Sequence, residues 1–206
     1  MGDVIRSWRL NSKNRTQMSH TDFEIMDASS WTIGQGLSGR VGGMTIYPIR
    51  SNGAVVRFQP IRAESLGAMR VIFEPSCFNG TGEEERVPIS LSIDAEMATA
   101  VQTMEAQIRE KLRPTVPNLD AIWYSAVKNG NSLKAKVRVK GEGAVRCYNS
   151  KKEPVPTPER WRGLALCPIL ECKAIFVQRA AAGLVLDIVA AIIGDSEQAA
   201  PTDTFD

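Results

Sequence analysis

The stretch SLKAKVRVKGEGAV, residues 132–145, decides the architecture. Leu133, Ala135, Val137 and Val139 alternate without a break with Lys134, Lys136, Arg138 and Lys140. Successive side chains of a strand point to opposite faces. The segment is therefore a strand with one apolar face on a core and one face of four cations. Those cations recur about every 6.5–7 Å, close to the spacing of phosphates in an extended nucleic-acid strand. Four like charges on one face repel each other, and solvated strand faces ordinarily mix both signs. The pattern points to a polyanionic partner. The alternative is an edge strand blunted with lysines against aggregation.

Upstream, the first ninety residues read as strands and turns. Residues 44–49 and 54–59 flank Asn52-Gly53, a hairpin signal between two β-rich runs. Residues 68–73 and 87–93 are further strands, separated by a polar loop over 79–85. One helix interrupts the pattern. Asp94 caps it, Met97, Val101, Met104, Ile108 and Leu112 form its apolar stripe, and Pro114 and Pro117 end it. This stripe is expected in the core, with a groove for a partner helix as the alternative, and the helix packs across one end or face of a sheet.

Downstream, Gly141-Glu142-Gly143 is a tight reversal, and strands follow at 144–148, 164–178 (in one piece or two around Pro168) and 183–193, the last of which has a helix as its alternative but reads as strand by its β-branched content and Gly183. Residues 151–160 carry Pro154, Pro156 and Pro158 and cannot join a central strand. The fold class is mainly β (α+β): an antiparallel barrel or sheet elaborated with one long helix over about 94–113. A single domain spans 1–194, and a flexible acidic tail follows over 195–206.

The 206 residues, 43% hydrophobic and 23% charged, suffice for a proper core in a soluble globular protein. A net charge of +2 hides a polarised distribution. Residues 123–162 hold ten Lys and Arg against three Glu, whereas residues 195–206 hold four acids and no base. Cys77, Cys147, Cys167 and Cys172 make no CxxC pair, and the single His20 is far from them in sequence. This argues against a zinc site and for a reducing, intracellular compartment, cytoplasm or nucleus. The N-terminus lacks the apolar run of a signal peptide, and the longest apolar stretch is too short to span a membrane.

No P-loop, dinucleotide fingerprint, HExxH or GxSxG motif occurs. Glu83-Glu84-Glu85 reads as a solvated turn, and Asp94 and Glu96 are explained by helix capping. The chain is expected to be no enzyme and to use no cofactor or metal. What it has is cations and flat aromatic faces, the two requirements for binding single-stranded nucleic acid. The cations are Lys134, Lys136, Arg138, Lys140, Arg146, Lys151, Lys152, Arg160 and Arg162. Trp123, Tyr124, Tyr148 and Trp161 lie in the same span; bases are expected to stack on Trp161, Tyr148 or Trp123, and core packing is the competing reading for each. Trp161 is expected to be the exposed one, between Arg160 and Arg162. Tyr148 shares a face with Arg146. A second set, Arg50, Arg57, Arg62 and Arg70, either forms the other wall of a cleft or only solubilises a sheet; Arg57 and its neighbour Phe58 take opposite faces.

The order of features is FQP at 58–60, Leu66-Gly67, a strand, the helix, the basic strand KAKVRVKGEG and the apolar run AGLVLDIVAAII. This order resembles the single-stranded-DNA-binding-like proteins of large DNA viruses and phages, built around an OB-like barrel, over residues 30–195. The length and the long helix depart from the small five-strand pattern. The resemblance implies a role in replication, recombination or repair, with Lys134, Lys136, Arg138 and Lys140 on the backbone. An acidic tail ending Phe205-Asp206 fits such proteins: it can cover the basic groove or dock its aromatic into replication or recombination proteins. A plain solubilising tail is the alternative. The expected partner is single-stranded DNA or RNA, with homo-oligomerisation open. The competing function is an assembly protein whose basic face binds an acidic protein; a double-strand binder is a further alternative.

Overall fold

A computed structural model describes residues 28–39, 43–58, 69–76 and 84–194. Arg62, Cys77, most of the loop over 79–85 and the acidic tail with Phe205 lie outside the described residues. The strands are β1 (Trp31–Ile33), β2 (Leu37–Ser38), β3 (Thr45–Ser51), β4 (Val56–Phe58), β5 (Met69–Val71), β6 (Arg86–Ser92), β7 (Val127–Lys128), β8 (Ser132–Arg138), β9 (Arg146–Tyr148), β10 (Pro154–Val155), β11 (Ala165–Gln178) and β12 (Ala181–Ile193). Two helices, α1 (Ala95–Leu112) and α2 (Leu119–Ile122), fall between β6 and β7.

Five strands close into a ring in the order β5-β6-β8-β12-β11 and back to β5. All contacts in the ring are antiparallel except β8 with β12, which is parallel. This is an OB-like barrel, the five-stranded Greek-key architecture, elaborated by outer strands and a long helix. Val87, Ile89 and Leu91 of β6 and Leu133, Ala135 and Val137 of β8 are buried in the core, as the alternation in β8 requires.

Strand β11 runs unbroken through Pro168, against the option of two pieces. Its partner β12 pairs along one edge, with register shifts at Ile169/Leu170 and at Cys172/Ala174. On its other edge it passes from β5 to β4 to β3. Pro168 falls between the β5 and β4 contacts, where no ladder partner needs its missing N–H. The Asn52-Gly53 reversal forms, with φ of 50° and 78° and the Ser51–Ala54 bridge. No hairpin ladder extends from it, however. Strands β3 and β4 are both antiparallel to β11, so they run in one direction and the reversal is a protrusion between them. The long apolar β11 offers each more surface than they offer each other.

Helix α1 begins where the sequence predicts: the Asp94 carboxylate accepts from the Met97 N–H at 2.7 Å. Met97, Val101, Met104, Ile108 and Leu112 are buried, each contributing about 1.5–3 kcal/mol. The helix fills the passage from β6 to β8. Its Glu105 is also buried and accepts from Ser125 Oγ and the Ala126 N–H, both at 2.6 Å. Desolvation raises the Glu105 carboxyl above its ordinary 4.5, and these two hydrogen bonds work against that shift. The final run is strand β12, as its β-branched content predicts. The Pro-rich segment supplies only the edge pair β10.

Candidate nucleic-acid interface

The basic strand β8 is the third strand of the barrel, next to the second, β6. In OB folds the face of the second and third strands, with the loops joining strands one to two and four to five, is where oligonucleotides bind. Lys134 and Lys136 project outward from that face and are exposed, and Arg138 is half-exposed. The row on the strand is three cations long. Strand β8 ends at Arg138, and Lys140 stands beyond it at the turn that Gly141 makes with φ of 80°.

The face is more mixed in sign than the sequence suggests. Lys134 donates to Ser90 Oγ. Arg138 pairs with Glu85, and Arg86, its neighbour across β6–β8, pairs with Asp187. Lys136 stands in register with Pro88 on one side and Asp187 on the other. The row continues: Asp187 is opposite Glu171, and Glu171 is opposite Arg57, which binds it at 2.7 Å. Arg57 thus lies in one cross-strand row with Lys136, and Phe58 turns to the core as expected. Six cations of this surface (Arg57, Arg86, Lys134, Lys136, Arg138 and Lys173) outnumber the acids Glu85, Glu171 and Asp187.

The other expected cations are more scattered. Arg146 is exposed on β9, which follows β8 along β12. Lys151 and Lys152 are exposed in the β9–β10 turn, which Asn149 Oδ1 holds by accepting from the Lys151 and Glu153 N–H groups. Arg160 and Arg162 are exposed at the entry to β11, beside β5. That seam is across β6 from β8.

The aromatic assignments change most. Trp161 is 3% exposed and belongs to the core, so it cannot offer a face to a base. Its backbone N–H donates to Glu74 Oε1 at 2.9 Å, which pins the loop and sends the indole inward while Arg160 and Arg162 stay outside. Trp123 is half-buried against the core with the Arg109 guanidinium 5.8 Å from its ring centre. Tyr148 is half-buried. Among the described residues the exposed rings are Tyr124, at 57%, and Phe73, at 61%. Phe73 sits just after the first barrel strand, in the connection to the second. Tyr124 lies beside the start of the fifth, donating its N–H to Ala182 O at 2.7 Å, with Lys128 Nζ 5.1 Å from its ring. The two rings thus flank β8 from the β5–β6 side and the β12 side. Tyr124 is within the basic span; Phe73 has no cation beside it in the sequence and gave no signal.

Among the described residues, no group of His, Cys, Asp and Glu is arranged to hold a metal ion, and no helix is long and apolar enough to cross a membrane. Cys147 and Cys167 are buried thiols, which burial pushes up to about 11.

No protein-family model matches the sequence, and no curated protein matches it. Among solved structures, the single-stranded DNA-binding protein from bacteriophage Enc34, truncated at its C-terminus, is 11% identical. The match covers 78% of this chain and 94% of that one, with a TM-score of 0.46. The same phage protein in complex with ssDNA gives 10%, 78%, 95% and 0.45. Gp2.5, a single-stranded DNA-binding protein encoded by bacteriophage T7, is 12% identical over 74% of this chain and 97% of that one, with a TM-score of 0.39. These are distant likenesses of shape.

Proposed function

We propose that this chain binds single-stranded DNA without strong sequence preference, on the outer face of β6 and β8. The observation that carries the reading is the row Lys134, Lys136 and Arg138 on the third strand of a closed OB-like barrel. Cations there neutralise backbone phosphates, and counterion release drives association. Tyr124 and Phe73, exposed on either side, supply stacking surfaces for bases. Such stacking accepts any base, so the binding is sequence-tolerant. The chain performs no catalysis in this role. It serves replication, recombination or repair, where single strands must be covered, and the acidic tail ending Phe205-Asp206 recruits partner proteins.

The test is a fluorescence-anisotropy titration with labelled oligo-dT of about 30 nucleotides, longer than the roughly 4–16 nucleotides one OB fold covers. It is run at two salt concentrations with duplex DNA and oligo-U as competitors. Salt-sensitive binding that duplex competes for poorly supports the proposal. Strong competition by oligo-U would reassign the ligand to RNA. No binding at low salt, with residues 195–206 also removed, would overturn it.

A further inference from the structure

Where β8 ends, a small cavity of about 270 Å³ opens between β6, β8 and β12. Its walls carry Arg86, Arg138 and Lys173, with Asp187 among them and Gly143 and Val189 completing the rim. The wall itself holds three cations and one acid; outside it Arg138 also pairs with Glu85, and Lys173 with Glu171 at 3.3 Å. A cavity just below the roughly 300–1,000 Å³ of drug-sized sites has ample room for a phosphate group, and its cationic wall suits an anion.

The charges are layered. The Asp187 carboxylate is buried, its side chain 10% exposed. Both of its oxygens are taken: Oδ1 accepts from Arg86 and Oδ2 from Lys173 Nζ at 2.8 Å. It therefore acts as a fixed post between two cations. The side chains of Arg86, Arg138 and Lys173 remain 30%, 36% and 42% exposed, so each reaches the opening. Arg86 uses Nε and Nη2 on Asp187, and Arg138 uses Nη1 on Glu85. Each guanidinium keeps further N–H donors for a second acceptor. Glu85 is not in the cavity wall, and its side chain is 53% exposed, so it can swing aside. At Gly143, φ is 78° and a Cβ would lie 3.8 Å from Arg138 Cδ; the bare backbone leaves that side open. The cavity is in line with Lys134, Lys136 and Arg138, so a strand tracked along β8 arrives at it.

We propose that this cavity is a phosphate-binding subsite in which Arg86, Arg138 and Lys173 together hold one phosphate group of a bound polynucleotide. Asp187 acts as the positioning residue. The polynucleotide source rests on the single-strand reading above; the phosphate chemistry does not.

The test is a pyrophosphate titration of the full chain, followed by amide and arginine Nε–H resonances in a ¹H–¹⁵N spectrum and repeated with oligo-dT present. The expected result is saturable shifts confined to Gly143, Ile188, Val189 and the Arg86 and Arg138 side chains. Bound oligo-dT should displace pyrophosphate. Lys173→Gln should weaken pyrophosphate binding roughly tenfold, the loss of one charge-assisted contact. Should Lys173→Gln not fold, Arg138→Gln, whose carboxylate partner Glu85 is exposed rather than buried, gives the same readout. Shifts that are absent, or spread evenly over Lys134, Lys136 and Arg146, overturn the subsite even if oligo-dT binds. Localised shifts with no oligo-dT binding keep the subsite, assign it to a free phosphate compound and overturn the single-strand reading instead.

Discussion

Glu171 and Asp187 face each other across β11 and β12, both buried, and both bind the same Lys173 ammonium. Two like charges directly opposite on a sheet repel. Lys173 between them, with Arg57 and Arg86 at the flanks, turns that repulsion into a chain of alternating charge. Lys173→Met removes the shared cation and leaves two buried carboxylates facing each other. Stability should fall by about 1–3 kcal/mol, the cost of an unsatisfied buried group, moderated by the partial exposure of Lys173. Adding Glu171→Gln to that variant should restore part of the loss. Urea unfolding of both measures this; equal stability of wild type and Lys173→Met would show that the chain of charges contributes nothing.

Changing Lys134, Lys136 and Arg138 together to Ala should remove the main phosphate contacts. For single strands the log–log salt slope is about −0.7 per phosphate neutralised, so the variant slope should be shallower by roughly 2. The anisotropy titration at several salt concentrations reads this. An unchanged slope would exclude β8 as the contact surface.

Tyr124→Ala and Phe73→Ala should each weaken oligo-dT binding by about 1–3 kcal/mol per stacked base, with the fold intact. Trp161→Ala should behave differently. It empties a core position and should cost about 3–5 kcal/mol of stability, with binding lost only to the extent that the protein unfolds. Thermal melts alongside the titrations separate the two classes. A stable, non-binding Trp161→Ala would return that residue to the interface.

Glu105 sets a pH dependence of stability. Burial raises its carboxyl in the folded chain above 4.5, so the folded state holds the proton more tightly than the unfolded one. Its contribution is fully present below about 4.5 and declines as pH rises through the raised value. Glu105→Gln is neutral at every pH and can still meet Ser125 and Ala126. Its stability should fall less than wild type between pH 4.5 and neutrality. Parallel stability–pH curves for the two proteins would show that Glu105 does not titrate differently on folding.

The local patterns were legible without coordinates because their causes are local. The alternation of 133–139 dictates a two-faced strand whatever surrounds it, Asp94 lies within reach of the Met97 N–H along the same chain, and Asn52-Gly53 suits positive φ by its own sterics. Relations between distant residues required the tertiary structure. The parallel contact of β8 with β12 closes the ring, and it joins segments some fifty residues apart. Arg138 meets Glu85 53 residues away, and Arg86 meets Asp187 101 residues away, which is why a row of bare cations on paper is a face of partly neutralised ones. Trp161 turns inward because Glu74, 87 residues earlier, fixes its backbone. Composition alone placed that ring outside between two arginines. A side chain's character is written in the sequence; which partner satisfies it, and whether any charge or ring is left for a ligand, is decided by what the fold brings beside it.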